Sequence, residues 1–334
     1  MHLDILPHDP VTPLYRLSRD ALRAIRQQGG GITTTEARYL VDTYYRLQDQ
    51  RIRANNQLKA LDRDATKGER PAEPHEALSW TLDQFGTLES QLEKILAIYV
   101  KSHRMHWFFD QTIGIGPILA AGLLAHIDIS RAVTAGHIYR YAGLDPTQKW
   151  EKGCKRPWNA NLKKLCWKIG DSFVKTSGHE RGYYGRVYRE RKAFEWHRNL
   201  AGDMRDQAAD YLGKMKLGKD TDAFAWYSGA CDPALARAAL AAAKAPTAAT
   251  CAAATPEQGQ PMLPPGQIDM RARRWAVKLF LSHLQHRWYE LDNGVAPPAP
   301  YAIAILGHAH YLAPPQLPPV DLAADPGQVL AQAA

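Results

Sequence analysis

The chain has 334 residues, with 42 Lys and Arg against 34 Asp and Glu, giving a formal net charge of +8. Apolar residues at 45% and charged residues at 23% exclude a wholly disordered chain, and the length suits two or three modules. Four cysteines with no Cys-x-x-Cys pair exclude a disulfide scaffold and leave structural zinc unsupported, and no apolar run is long enough to cross a bilayer.

Residues 1–32 read as a Pro-containing arm followed by a short amphipathic helix, Leu14–Gln28, ended by Gly29-Gly30-Gly31. The N-terminus lacks the basic and apolar regions of a signal peptide, so a cytoplasmic location is expected. Residues 33–104 read as a long helical hairpin or coiled coil. Thr33 and Glu36 stand at capping-box spacing, and the first helix runs to about Asp64 with Leu40, Tyr44, Leu47, Leu58 and Leu61 near one stripe. After a turn at Lys67–Pro71, a second helix over about Pro74–Arg104 repeats Leu78, Phe85, Leu92 and Tyr99 every seven residues, with Leu88 and Ile95 at companion positions. The seam suits an antiparallel hairpin, a coiled coil between chains, or two core helices of one bundle. A homo-oligomer through residues 33–104 is expected.

Residues 105–217 read as one domain, and 105–147 carry its most informative pattern. Ile113-Gly114-Ile115-Gly116-Pro117 precedes an Ala/Leu-rich run, the pattern of a helix-hairpin-helix turn. Glycines there accept left-handed backbone angles, and the amides that open the next helix point outward toward an anion. Tyr141-Ala142-Gly143-Leu144-Asp145-Pro146 follows, then helices over about Asn159–Val174, Arg181–Leu200 and Asp203–Leu217. Residues 218–266 read as an Ala/Pro-rich linker, with a short Ala helix at 233–245. Residues 267–334 read as a terminal helix (about Ile268–Asp292) and a Pro-rich tail. No run of alternating strands occurs, so the fold class is mostly α.

The charge excess sits in one place. Residues 148–216 hold 17 basic and 8 acidic residues, net +9, interleaved with Trp150, Trp158, Trp167, Tyr183, Tyr184, Tyr188 and Trp196. Cations beside aromatics suit a phosphate backbone with stacked bases, against the alternative of a solvated basic face bordering a core. The candidate nucleic-acid contacts are the backbone of Gly114, Ile115 and Gly116 and the side chains of Lys149, Lys152, Lys155, Arg156, Lys163, Lys164 and Lys168. Thirteen histidines, among them His103, His106, His283, His286, His308 and His310, lack partners at ligand spacing, so no metal site is expected. His2, Asp4, His8 and Asp9 read as part of a polar arm. Ser172, Ser177 and His179 lie outside any nucleophile elbow, and there is no P-loop.

The Gly-Ile-Gly-Pro hairpin, the Ala/Leu-rich helix ending in Ile127-Asp128, and the Tyr-Ala-Gly-Leu-x-Pro segment together resemble the C-terminal domain of the insertion-sequence-110 type (IS116/IS110/IS902) transposases. The resemblance covers about residues 105–150, more loosely 75–104 and 155–200, and touches the late helix Arg271–Glu290 with its Lys278. It implies a DNA-binding protein acting in DNA transposition or recombination, with DNA or a structured RNA as partner. It also implies a serine nucleophile soon after the Gly-Leu-x-Pro segment, and a RuvC-like domain whose acidic residues hold metal. Here Trp150 and Glu151 stand at the serine place, with Thr147 and Cys154 the nearest hydroxyl and thiol, and residues 1–74 show no RuvC-like strand pattern. No cofactor is evident. Mg would enter only if a RuvC-like partner in trans supplied its ligands, and the catalytic residues stay unassigned. The alternative reading is a non-catalytic nucleic-acid-binding or regulatory protein derived from a transposase domain.

Overall fold

A computed structural model describes residues 19–27, 31–67, 76–245, 256–299 and 312–315. The arm with His2, Asp4, His8 and Asp9, the Gly68–Pro71 part of the turn, Cys251, and the stretch with His308 and His310 lie outside the described residues. Every regular element among the described residues is helical. The chain divides into two compact units. Among the described residues the first comprises 19–27, 31–67, 76–107 and 116–127, and the second 108–115, 128–245, 256–299 and 312–315.

In the first unit, α1 (Arg19–Gln27) precedes two long helices, α2 (Thr34–Thr66) and α3 (Glu76–Lys101). The expected capping box starts α2: Thr33 Oγ1 accepts from the Glu36 amide at 3.2 Å, and Glu36 Oε2 accepts from the Thr33 amide at 2.7 Å. These bonds hold the Glu36 carboxyl below its ordinary range. α2 and α3 run antiparallel, since the Thr34 side chain meets Tyr99 and Arg51 Nε donates to Glu89 Oε1 at 2.6 Å. A third helix, α5 (Pro117–His126), packs on both. Its Pro-Ile-Leu-Ala-Ala-Gly-Leu-Leu-Ala-His sequence is buried on almost every side, as a helix apolar all round requires, and its small residues permit close approach. The core therefore sits where Ala37, Val41 and Tyr45 of α2 and Leu96, Tyr99 and Val100 of α3 meet Ala121, Leu123 and Leu124 of α5. Arg38 Nε donates to the Ala125 carbonyl at 2.5 Å and so satisfies an orphan group at the C-terminal end of α5. Away from this junction the heptad seam is only part-buried: Leu78, Phe85, Leu92 and Ile95 are half-exposed and Leu88 is 38% exposed.

The second unit is built around its last helix. After the 3₁₀ turn Ile129–Arg131 come α6 (Ala135–Tyr141), α7 (Ala160–Lys175), α8 (Tyr183–Leu200), α9 (Arg205–Lys214), α10 (Asp222–Ser228), α11 (Pro233–Ala241) and α12 (Pro265–Asn293). α4 (His106–Asp110) leads into the hairpin. α12 packs against α6, α7 and α8. Its Phe280 meets Phe173 and Tyr184 edge-to-face and stacks on Phe108, with ring centroids 5.2–6.0 Å apart. The expected terminal piece is thus the central element of its unit.

The Ala/Pro-rich stretch also departs from its reading as a linker. Trp226, Tyr227, Ala236, Leu240, Met262 and Leu263 are buried with Trp196, Leu200 and Met204 in one apolar cluster. Asn199 locks the 256–263 segment in place, donating to the Leu263 carbonyl and accepting from the Leu263 amide, both at 2.9 Å. α11 is the expected Ala helix, capped by Asp232 with Pro233 at its first position. Only 246–255 of the stretch lies outside the described residues.

Candidate nucleic-acid interface

The hairpin glycines have different tasks. Gly114 has φ +98°, and a Cβ there would stand 2.9 Å from Thr176 Oγ1 and 3.2 Å from Phe173 on α7. Its carbonyl accepts from Ser172 Oγ at 2.5 Å, so the bend is pinned to α7 within the second unit. Gly116 is the N-cap of α5 in the first unit, with φ −85°, and a Cβ there would meet nothing within 4 Å. No side chain caps α5, and Pro117 occupies its first turn, so the Ile118 and Leu119 amides have no intrahelical acceptor. Ile115 is buried, its amide spent on the Thr112 carbonyl at 3.0 Å. The sequence reading offered the backbone of all three residues as one clamp. The second unit holds Gly114 and Ile115, and the Ile115 amide points inward.

The Tyr141–Pro146 segment is a helix end welded to the next helix. Gly143, φ +65°, takes the left-handed position that follows α6, and a Cβ there would lie 2.7 Å from the Trp158 ring. Asn159 joins the two pieces: its amide donates to the Tyr141 carbonyl at 2.8 Å and its Nδ2 to the Tyr141 hydroxyl at 2.9 Å, while its Oδ1 accepts from the Leu162 amide and caps α7. Asp145 Oδ1 accepts from both the amide and the hydroxyl of Thr147, at 2.9 and 2.7 Å, and these bonds hold its carboxyl below the ordinary range. Burial lowers the Lys278 ammonium while Asp145 opposes that shift; its Nζ lies 4.6 Å from the Tyr139 ring centroid.

Between Thr147 and α7 runs the cationic loop. Lys149, Lys152, Lys155 and Arg156 are exposed, and none forms an ion pair among the described residues. Lys163 and Lys164 continue the exposed surface on the first turn of α7; Lys168, one turn on, is half-buried. Two indoles organise the track. Trp150, 42% exposed, donates to the Cys154 carbonyl at 2.7 Å with Arg156 5.2 Å above its ring, and Lys163 Nζ lies 4.1 Å from the Trp158 ring centroid. Trp167, 54% exposed, flanks Lys164 and Lys168. Cations held on indole faces keep their charge while losing conformational freedom.

Several other cations of the basic segment are used internally. Glu195, buried on α8, receives Arg191 at 2.5 Å and Arg271 at 2.8 Å, with Arg198 at 4.0 Å. Burial works against its charge, but the arginines outweigh it and hold its carboxyl below the ordinary range. Asp269 takes Lys192 and Arg273, and Asp171 takes Lys175 and Arg273. Charge counting along the sequence missed this division, because the acids that neutralise α8 lie on α8 itself and on α12. Among the described residues the 149–156 loop keeps four exposed cations outside these ion pairs.

Residues 108–156 match the family described as Transposase IS116/IS110/IS902. The match supports an IS110-type transposase domain at this place in the chain. It begins at Phe108 in the aromatic core, contains the glycine hairpin and the Tyr141–Pro146 turn, and ends at Arg156. Trp150 and Thr147 both fall inside it; the Thr147 hydroxyl is committed to Asp145. No curated protein and no solved structure matches the chain. Among the described residues no three His, Cys, Asp or Glu side chains gather to hold a metal ion, and no described helix is long and apolar enough to cross a membrane.

Proposed function

We propose that this chain is a DNA-binding protein of the transposase and recombinase class that grips the polynucleotide backbone. The observation that carries the reading is the cluster of exposed cations that form no ion pair among the described residues, Lys149, Lys152, Lys155 and Arg156, inside the IS110-type match; the exposed Lys163 and Lys164 extend the basic surface just after it. Phosphate contacts of this kind give affinity and register without reading sequence. The exposed Trp150 and Trp167 add faces for stacking. In the first unit, the uncapped start of α5 beside the open Gly116 supports a further phosphate contact through backbone amides. A homo-oligomer through residues 33–104 and a RuvC-like partner in trans complete the proposal, and any Mg ligands come from that partner.

The test is salt dependence. Log K on duplex DNA falls with log salt at about −0.9 per phosphate contact, so Lys152→Ala with Lys155→Ala should flatten the slope by about 1.8. A slope near zero in the parent protein, or one that the double variant leaves unchanged, overturns the reading.

One observation favours the non-catalytic alternative. Trp150 stands where the resemblance places a serine, and its indole is tied into the loop by the Cys154 carbonyl. Incubation with branched DNA and a RuvC-like protein, followed by denaturation, separates the two. Protein-linked strands that vanish with Thr147→Ala or Cys154→Ala establish the enzyme; their absence leaves a binder.

A further inference from the structure

In the second unit, the residues just before the glycine bend and the start of α8 enclose an open cavity of about 260 Å³, with Pro315 on its rim. Its lining combines three kinds of group that the contacts above leave unused. Arg181 and Arg186 are exposed, and Glu180 is the only acid among the described lining residues, so the described lining is net cationic. The Tyr183 ring is half-buried and braced edge-on by Tyr184 at 5.0 Å; the Tyr184 hydroxyl is in turn fixed on His283 Nδ1 at 2.9 Å. The Arg186 guanidinium lies 5.7 Å from the Tyr183 centroid. The third group is Gln111, whose Oε1 is buried with no hydrogen-bond partner, alone among the side-chain atoms of the described lining residues.

A buried carbonyl without a donor is a standing cost, and such a group in a native fold calls for a reason. A ligand that answers all three features brings an N–H edge for Gln111, a π-face for Tyr183 and an anion for the two arginines. An unstacked nucleotide has these groups together: a donor on the base edge, an aromatic face and a phosphate. The volume suits one nucleotide and excludes a base pair. We propose that this cavity receives a single nucleotide turned out of its helix, with its base against Tyr183, its N–H edge on Gln111 Oε1 as that buried side chain turns toward the cavity, and its phosphates on Arg181 and Arg186. The proposal rests on the nucleic-acid reading above and deepens it: the loop and α7 would hold continuous backbone, while this cavity selects a distorted position.

The test compares a short duplex with the same duplex carrying one bulged nucleotide, as DNA and as RNA, titrated onto the full chain at fixed salt. The bulged form of at least one of the two should bind about tenfold tighter, and 2-aminopurine at the bulge should be quenched on binding. Gln111→Leu should bring the bulge-to-duplex ratio toward one while leaving the unfolding midpoint unchanged or higher, because it removes an unsatisfied acceptor. Arg181→Ala should lower the same ratio. Equal, salt-sensitive binding of bulged and intact forms overturns the cavity proposal and leaves backbone binding standing. A preference that survives both substitutions overturns the assignment to this cavity. Failure of every duplex to bind in dilute salt overturns both readings.

Discussion

Replacing Gly143 by alanine tests whether the Tyr141–Pro146 turn is held by packing against the start of α7. The substitution acts twice. A non-glycine residue at φ +65° costs about 1 kcal/mol. The new Cβ would stand 2.7 Å from Trp158 Cγ and 2.9 Å from Cδ1 and Cδ2, so the indole must move, and overpacking of this kind costs about 1–3 kcal/mol. The sum is a destabilisation of about 2–4 kcal/mol, read from urea unfolding followed by circular dichroism. Displacing the indole also removes the platform under Lys163, so duplex affinity should fall with it. The decisive measurement is the cycle with Trp158→Ala. Truncating the indole removes the clash, so the double variant should be more stable than the sum of the single losses predicts. A loss under about 0.5 kcal/mol, or strict additivity, would refute the argument.

Three further outcomes follow from the same geometry. Gly114→Ala should destabilise through its positive φ and its contact with Thr176, whereas Gly116→Ala should leave stability within about 0.5 kcal/mol and weaken duplex binding; equal melting losses would contradict their separate tasks. Glu195→Gln should cost about 3–5 kcal/mol in thermal or chemical unfolding, since Arg191 and Arg271 lose their shared counter-charge, and a neutral result would show the network to be dispensable. His283 is buried between the Tyr184 hydroxyl and the Leu312 carbonyl, and burial pushes its pKa down to about 4. The neutral imidazole is the native form, so its contribution, about 3 kcal/mol, is complete above about pH 6.5 and fades as pH falls toward 4. The stability difference between the parent protein and His283→Gln should shrink over that window, and a difference independent of pH would exclude the assignment.

What was legible in the sequence is what depends on neighbours along the chain. The Thr33–Glu36 cap, the glycine bend and the Gly143 turn each follow from a few adjacent residues, because caps and left-handed positions are local requirements. The loop cations were legible because Lys149, Lys152, Lys155 and Arg156 crowd a short stretch that holds one acid, Glu151. Arg191 and Arg198 stand at helical spacing from Glu195 on α8, but the use of Arg271 on Glu195 was not legible, since it depends on α8 and α12 meeting across more than seventy residues. The heptad of α3 pointed to the right helix but not to its buried face. α5 covers only one end of the α2–α3 pair, so Leu96 and Val100 are buried while Leu88 stays open. Ala/Pro-rich composition suggested a linker because alanine carries little apolar signal, yet Ala236 and Leu240 fill space beside Trp226 that larger side chains could not enter.

The position of α12 sets the order in which this protein can become itself. Phe108, Phe173 and Tyr184 wait for Phe280, and Glu195 waits for Arg271, so a nascent chain that has not yet released its last helix holds the whole IS110-type segment with an open aromatic wound and a buried acid short of a cation. The segment that carries the family signature therefore matures late, on arrival of residues more than a hundred positions downstream. A fragment cut after α9 would contain every residue of the cationic track and lack the helix around which that track is built.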